Sequence, residues 1–126
     1  MEYLTPTHQE ILDVIRQANV VVLMDNHKVC KTQKYDGYVI TTRNSLNQSR
    51  KNEFVICPNV IQKNYSDWQG EINRTISHEA VHVAQMCRFN DGYIRPLGFR
   101  KDVEAEAFAI QDQPREVLRI LKKYCL

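Results

Sequence analysis

The chain has 126 residues and a formal net charge of +2, and a quarter of its residues are charged. This length fits a single domain, 1–126, that can bury a hydrophobic core. The small, scattered charge and the lack of an RNA-binding aromatic motif argue against a nucleic-acid partner. Met1-Glu2-Tyr3 does not resemble the start of a signal peptide, and no apolar stretch reaches about 18 residues. We therefore expect a soluble, intracellular protein, or one packaged within a larger assembly, that has no membrane span and is not secreted.

The first half of the chain predicts one helix followed by a small sheet. Thr5-Pro6 is typical of a helix start, since threonine is a good N-cap and proline suits the first turn. Short β-branched and apolar runs then predict four strands. Together these elements predict an α+β fold with a small, twisted, mostly antiparallel sheet. The predicted strands cover 20–24, 28–32, 37–42 and 53–57.

A polar run, 43–52, separates the last two strands and shows no hydrophobic periodicity. It predicts a long exposed hairpin loop. Two interpretations remain open for it, a gate over a functional site and a solvated loop without a role.

A long helix is predicted to start near Ser66, because Ser66-Asp67-Trp68-Gln69 matches the capping-box pattern. Apolar residues follow at three- to four-residue and seven-residue spacings, and Glu79 and His82 lie in the same stripe. These residues should therefore face the protein interior, where apolar packing can fix the rotamers of metal ligands.

The most informative pattern is His78-Glu79-Ala80-Val81-His82, in which two histidines four positions apart flank a glutamate. On a helix the two imidazoles project about 40° from one another, so both can reach one ion. This spacing is the signature of zinc hydrolases. A catalytic zinc keeps one position open for water, and Glu79 is placed to deprotonate that water.

A third ligand is expected on a downstream helix over 102–111, which is rich in helix-forming residues. Glu104 shares one face with Ala107, Phe108 and Gln111, whereas Glu106 is turned about 200° away. Glu104 is therefore the better ligand candidate, and Glu106 is expected on a solvated acidic face. Alanines at 105, 107 and 109 should let this helix approach the motif helix. After it, Pro114 either ends this helix near residue 112 or starts a last helix over 115–124.

The chain resembles a known family at three places: Ile56-Cys57-Pro58-Asn59, the stretch 75–82 and Met86-Cys87-Arg88. They are similar to the mitochondrial inner-membrane metalloprotease that matures and helps assemble ATP synthase. In that family a glutamate ligand follows the second histidine at much the same distance as Glu104, and an aspartate usually stands where this chain has Gln85. The run Glu-Ala-Glu-Ala-Phe-Ala is also similar to the phage-repressor-regulating metallopeptidases.

The resemblance implies a minimal zincin-like fold, with an N-terminal helix, a small sheet, the motif helix and a downstream ligand helix. It also implies the gluzincin ligand set, in which His78, His82 and Glu104 bind Zn²⁺. By analogy with zincins, an edge strand over Phe54, Val55 and Ile56 is expected to bind substrate.

The four cysteines are widely spaced and include no Cys-x-x-Cys pair, so a cysteine zinc site is not expected. Without a secretion signal, we expect reduced, buried thiols. If one disulfide forms, the resemblance implies a bond between Cys57 and Cys87.

Two functional interpretations follow from these residues. The first is a zinc metallopeptidase whose protein or peptide substrate is attacked by a metal-activated water, with Glu79 as base and then acid. Tyr93 is the chosen candidate for a transition-state donor, with Arg95 and His27 as alternatives. The second is a structural or assembly component of a larger complex that keeps a zincin fold with little or no proteolytic role. An intact Glu79 favours the first interpretation, because a structural zinc site needs no base.

Overall fold

The structure is a computed structural model that describes residues 3–43 and 50–126. In this part of the chain it contains six helices and one three-stranded sheet, so the predicted α+β class is confirmed. None of the described helices is both long and apolar enough to cross a membrane. The elements along the chain are α1 (Pro6–Gln17), β1 (Val21–Leu23), α2 (Lys28–Lys31), β2 (Gly37–Arg43), β3 (Arg50–Ile56), α3 (Pro58–Asn64), α4 (Trp68–Phe89), α5 (Val103–Ile110) and α6 (Pro114–Cys125).

The sheet is mixed and has the strand order β1-β3-β2. β3 runs parallel to β1 and antiparallel to β2, and the antiparallel ladder extends from Gly37 opposite Ile56 to Arg43 opposite Arg50. β3 is therefore the central strand, with hydrogen-bonded neighbours on both sides. The expectation that Phe54, Val55 and Ile56 form a substrate-binding edge is wrong, and among the described strands β2 has the free edge beside the motif helix.

Two short helices lie where the sequence pattern predicted strand or gave no prediction. Residues 28–31 form α2 rather than a strand, because the His27 side chain caps this turn by accepting a hydrogen bond from the Val29 N–H. α3 starts directly after β3 at Pro58, whose fixed φ suits a first helical turn. α2 and α3 are therefore determined by local capping and by proline rather than by hydrophobic periodicity.

The helix starts show which capping predictions are correct. α1 begins as predicted, with the Thr5 hydroxyl accepting from the His8 N–H. α4 has Asp67 rather than Ser66 as its N-cap, and the Asp67 carboxylate accepts from the Gly70 N–H. At the C-terminal end, Pro114 starts α6, which resolves the alternative that the sequence left open.

The main hydrophobic cluster draws on α1, α4, α6 and the sheet, and α4 runs through its middle. α1 is joined to α4 by His8, whose Nε2 lies 2.9 Å from the buried Ser77 hydroxyl. Its Nδ1 is hydrogen-bonded to Thr5. Burial lowers the pKa of His8, so folding favours the neutral imidazole. This packing fixes the helix that presents the motif.

The cysteines form two disulfides, Cys30–Cys57 and Cys87–Cys125. The expectations of reduced thiols and of a Cys57–Cys87 bond are therefore both wrong. The fold explains the pairing, because Cys57 follows β3 beside α2, whereas Cys87 lies near the end of α4 beside the end of α6. Disulfides persist mainly in oxidising environments, so this finding gives no support to the expected intracellular location, which stays a prediction.

The predicted loop, 43–52, overlaps the two strands, since β2 continues to residue 43 and β3 begins at residue 50. The rest of the predicted loop, 44–49, lies outside the described residues, and so does the question of whether it gates a site.

Candidate metal centre and cleft

The motif residues lie in the middle of α4, on the side that faces α5. His82 and Glu79 are buried, and the His78 side chain is 15% exposed. The two imidazole rings have centroids 5.0 Å apart. α4 thus presents both imidazoles together, as the four-residue spacing predicted.

α5 brings Glu104 to the two histidines. Asp102 is the N-cap of this helix, and its carboxylate accepts from the Ala105 N–H, so Glu104 lies in the first turn. Glu104 Oε2 is 3.4 Å from His78 Nε2, and Glu104 Oε1 contacts His82 Nε2. One nitrogen from each histidine and one oxygen from Glu104 all lie within 4.8 Å of one another.

This donor set fits a zinc ion. Two imidazole nitrogens and a carboxylate oxygen are ordinary zinc ligands, and ligand atoms about 2.1 Å from one tetrahedral ion lie about 3.4 Å apart. The His78–Glu104 separation matches that value. The Glu104 side chain is 56% exposed, so its rotamer can adjust to an ion.

The helix contact itself differs in one detail from the expectation. Among the three alanines of α5, Ala107 is fully buried, whereas Ala105 and Ala109 are exposed. Ala107 alone therefore supplies the small side chain at the contact.

The second nitrogen of each imidazole has a glutamine partner. His82 Nδ1 lies 2.7 Å from Gln85 Oε1, and His78 Nδ1 lies 2.9 Å from Gln111 Oε1. An amide oxygen can only accept, so each Nδ1 donates and each Nε2 faces Glu104. Partners of this kind fix the orientation of histidine ligands in metal sites. Gln85 stands where the family that the chain resembles usually has an aspartate, and in this chain its amide oxygen is the acceptor.

Glu79 lies beside this group at the base of the cleft. The pKa of Glu79 is raised to about 8, chiefly by burial and to a lesser extent by the nearby carboxylates of Glu104 and Asp36. β2 crosses close to this side chain at Gly37, where a Cβ would lie 3.1 Å from Glu79 Cγ and 2.9 Å from the Val55 carbonyl oxygen. A glycine is thus required for the close approach of the strand to α4.

A cleft of about 610 Å³ opens over these residues. One wall is the start of β2 with the segment before it, and the other is the exposed face of α5. Its lining includes four exposed aromatic side chains, for which the sequence patterns had indicated no functional role. They are Tyr35, Tyr38, Tyr65 and Phe108.

These aromatic residues are ordered by contacts around the cleft. Tyr35 and Tyr38 pack edge to face with centroids 5.4 Å apart, and the Tyr65 hydroxyl donates to Asp36 at 2.9 Å. On the other wall the Phe108 ring lies 4.6 Å from the His78 ring. The sequence pattern that could have indicated the first wall is Tyr35-Asp36-Gly37-Tyr38, in which two aromatic residues lie close to a glycine. This pattern predicts a cleft wall only if the strand that follows is known to be at the edge of the sheet.

Glu106 contradicts the expectation of a solvated acidic face. It is completely buried and accepts five hydrogen bonds, from the Gln85 side chain and from four consecutive backbone N–H groups. Burial acts to raise its pKa, but the bonds from Leu97, Gln85, Arg100 and Phe99 outweigh this effect and leave the pKa below its ordinary value. Glu106 is therefore an ionised carboxylate inside the protein.

The three candidates for a transition-state donor lie away from the cleft lining. Tyr93 is 60% exposed on the segment between α4 and α5, and Arg95 donates to Asp91 at 2.8 Å. His27 caps α2 and lies 3.7 Å from Glu53. The choice of Tyr93 is thus not supported by its position, because sequence distance gave no information on how this segment folds.

Comparison with known proteins gives a family but no activity. Neither a curated protein nor a solved structure matches the chain. A family model described as "Domain of unknown function (DUF8637)" matches residues 1–100. The match includes the motif on α4 and ends before α5. Since it covers more than half of the 126 residues, the chain belongs to the DUF8637 family.

Proposed function

We propose that the chain is a zinc-dependent metallopeptidase of the gluzincin type, with zinc bound by His78, His82 and Glu104. The observation that carries this proposal is the convergence of the three ligand atoms, within 4.8 Å of one another, beside Glu79 in an open cleft. A structural zinc site usually has four protein ligands, whereas a catalytic one has three and leaves a position for water. The three-ligand set therefore favours catalysis.

Glu79 is the proposed general base and acid. Zinc, when bound, lowers the pKa of a water ligand toward about 7 and polarises the substrate carbonyl. Glu79 accepts the proton of the attacking water and then donates it to the departing amine. Its burial at the base of the cleft shields this proton transfer from bulk solvent. The adjacent Nδ1–glutamine bonds hold both imidazoles in the orientation that binding requires.

The free edge of β2 is the proposed binding surface for an extended peptide. The Cys57 N–H donates to the Asp36 carbonyl at 2.8 Å, so Asp36 and Cys57 form a hydrogen-bonded pair at the start of the ladder. Pairs alternate along an antiparallel ladder, which turns the backbone N–H and C=O groups of Gly37 and Val39 away from β3. Both residues line the cleft, where a substrate strand can pair with them.

The aromatic walls favour substrates with bulky apolar side chains near the cleaved bond. Tyr35, Tyr38, Tyr65 and Phe108 expose rings on both sides of the metal-ligand group. Aromatic surfaces of this kind contribute most of their binding energy by burying apolar area. A peptide that lies along β2 would place successive side chains on alternate sides, so one set would meet these rings.

A digest of a peptide library with purified chain and added zinc tests the proposal. We expect cleavage next to bulky apolar residues, and we expect Glu79→Gln to retain zinc while its cleavage rate falls by about 10²–10⁴. Asp112→Ala is a matched control, since Asp112 is an exposed acid near the cleft whose side chain pairs with Arg74. It should cleave at the wild-type rate.

The same experiment separates the peptidase from the alternative assembly component. Zinc binding without any cleavage, unchanged in Glu79→Gln, would contradict the peptidase and favour a structural role. Cleavage that survives in Glu79→Gln would show that another residue is the base.

A further inference from the structure

Two fully buried polar side chains, Gln85 and Glu106, stand directly behind His82. The Gln85 amide nitrogen donates to Glu106 Oε1 at 2.8 Å and to the Val103 carbonyl at 3.1 Å, and Gln85 Oε1 faces His82 Nδ1 at 2.7 Å. Both Gln85 and Glu106 have 0% exposure. They form a continuous chain of hydrogen bonds from α5 to the motif.

We propose that Glu106 is a positioning residue that acts through Gln85 to hold a proton on His82 Nδ1, which leaves Nε2 free to bind metal. The consequence for metal binding rests on the proposed zinc site, whereas the location of the proton can be tested without metal or activity.

The direction of the Gln85 amide follows from its surroundings. The Glu106 carboxylate and the Val103 carbonyl can only accept hydrogen bonds, so the NH₂ group of Gln85 must face them. Its oxygen then faces His82, and the only favourable partner for that oxygen is a protonated Nδ1. If the amide were reversed, its oxygen would face two acceptors at hydrogen-bond distance, which is strongly unfavourable in a buried site.

Glu106 is itself held in the accepting state. Four backbone N–H groups point at its carboxylate at 2.7–3.2 Å, and no position remains for a proton that would make it a donor. These bonds also fix the turn that precedes α5, so the same carboxylate orders both the turn and the amide. The donating groups belong to Leu97, Gly98, Phe99 and Arg100.

His78 provides an internal comparison. Its Nδ1 also faces a glutamine oxygen, that of Gln111, but Gln111 is only partly buried. Within residues 3–43 and 50–126 the structure shows no hydrogen bond between the Gln111 amide and a carboxylate. His82 is thus the ligand whose proton is fixed from the protein interior.

Glu106→Gln is the decisive variant, because it keeps the volume of the side chain and removes the charge. Three of the four backbone N–H groups converge on Oε2, so the new amide oxygen should take that place and its NH₂ group should face Gln85. The Gln85 NH₂ group then loses its acceptor at position 106 and keeps only the Val103 carbonyl, so the amide orientation that presents its oxygen to His82 Nδ1 is weakened. We expect a protonated His82 Nδ1 in the metal-free wild type and a smaller protonated fraction at Nδ1 in Glu106→Gln, measured by ¹⁵N–¹H NMR of the ring nitrogens.

Zinc affinity gives a second readout. Because an Nε2 that carries the proton cannot bind metal, Glu106→Gln should bind zinc about 10–100-fold more weakly than wild type, as measured by titration calorimetry. Gln85→Met leaves the backbone bonds of Glu106 intact and breaks only the link to His82, so it covers the case in which Glu106→Gln does not fold. It should show a similar loss of zinc affinity, and Gln111→Met a smaller one.

Three results would overturn the inference. One is an unprotonated His82 Nδ1 in the wild-type chain. Another is an unchanged Nδ1 and unchanged zinc affinity in Glu106→Gln. The third is an equal loss in Gln85→Met and Gln111→Met, which would show that the buried carboxylate adds nothing. If the chain lacks peptidase activity but the NMR result holds, the proposed function fails and the positioning role stands.

Discussion

The two faces of α5 present the same residue type in opposite environments. Glu104 is 56% exposed and reaches into the cleft toward both imidazoles, whereas Glu106, two positions later, is completely buried and accepts five hydrogen bonds. The difference teaches that a carboxylate on the open face is free to bind an ion, while one on the inner face can only organise its neighbours. Substitutions on the two faces should therefore have different effects.

The largest effect is expected for Glu104→Ala, which removes a proposed zinc ligand from the open face. Zinc affinity should fall by more than the 10–100-fold that is typical when only a partner of a ligand is lost. Stability of the metal-free chain should be unchanged, because the side chain is exposed and surface ion pairs contribute little. Titration calorimetry and thermal unfolding of the metal-free chain measure the two quantities. A Glu104→Ala variant that is less stable than the wild type would contradict this distinction between the two faces of α5.

Glu106→Ala, unlike Glu104→Ala, should destabilise the metal-free chain. It leaves four backbone N–H groups and the Gln85 amide without their acceptor, and breaking a buried charged network costs about 3 kcal/mol or more. Urea unfolding of the metal-free variant measures the loss. A wild-type midpoint would mean that water replaces the carboxylate without penalty, and that Glu106 does not order the turn before α5.

Gly37→Ala tests a residue that lies at the cleft but is tightly packed. The added Cβ would meet the Val55 backbone oxygen and the side chains of Thr75 and Glu79, so β2 must move away from α4. We expect a loss of about 1–3 kcal/mol in the free energy of unfolding, together with slower peptide cleavage at unchanged zinc affinity. Gly70→Ala is not a suitable control, because its Cβ would meet the capping Asp67. Unchanged stability and cleavage would show that the strand can shift freely.

The smallest effect concerns His8, which lies on the inner side of α4 against Ser77. Burial lowers its pKa in the folded state below the ordinary value of 6.5, so the unfolded chain binds its proton more readily. The stability contributed by neutral His8 is present above about pH 6.5 and is lost as the pH falls below it. His8→Gln should reduce the dependence of the free energy of unfolding on pH between pH 5 and 7, as measured by urea unfolding. It should not change zinc affinity at neutral pH. If the free energy of unfolding changes with pH equally in the wild type and in His8→Gln, His8 does not contribute to this pH dependence.

Local sequence patterns were sufficient for the start of α1 and for the convergence of the histidines with Glu104. The Thr5-Pro6 pair predicted the start of α1, and the positions of His78, His82 and Glu104 on two helices predicted that these three side chains converge, as the structure shows. These features depend on the geometry of single helices, which neighbouring residues largely determine.

The remainder depended on contacts between distant parts of the chain. The position of β3 between β1 and β2 moved the free edge to β2, and no local pattern encodes strand order. The disulfides depend on which helix ends meet in the fold. Burial of Glu106 depends on a turn at 97–100 whose backbone N–H groups converge on its carboxylate. Helix geometry alone does not show this turn, so Glu106 was wrongly predicted to be solvent-exposed.

The most direct test of the central claim is the metal content of the chain purified without chelator. We predict about one zinc per chain for the wild type and for Asp112→Ala, and a strong reduction for Glu104→Ala. A metal-free wild-type chain, or a Glu104→Ala variant with the wild-type zinc content, would contradict the assignment of His78, His82 and Glu104 as a zinc site.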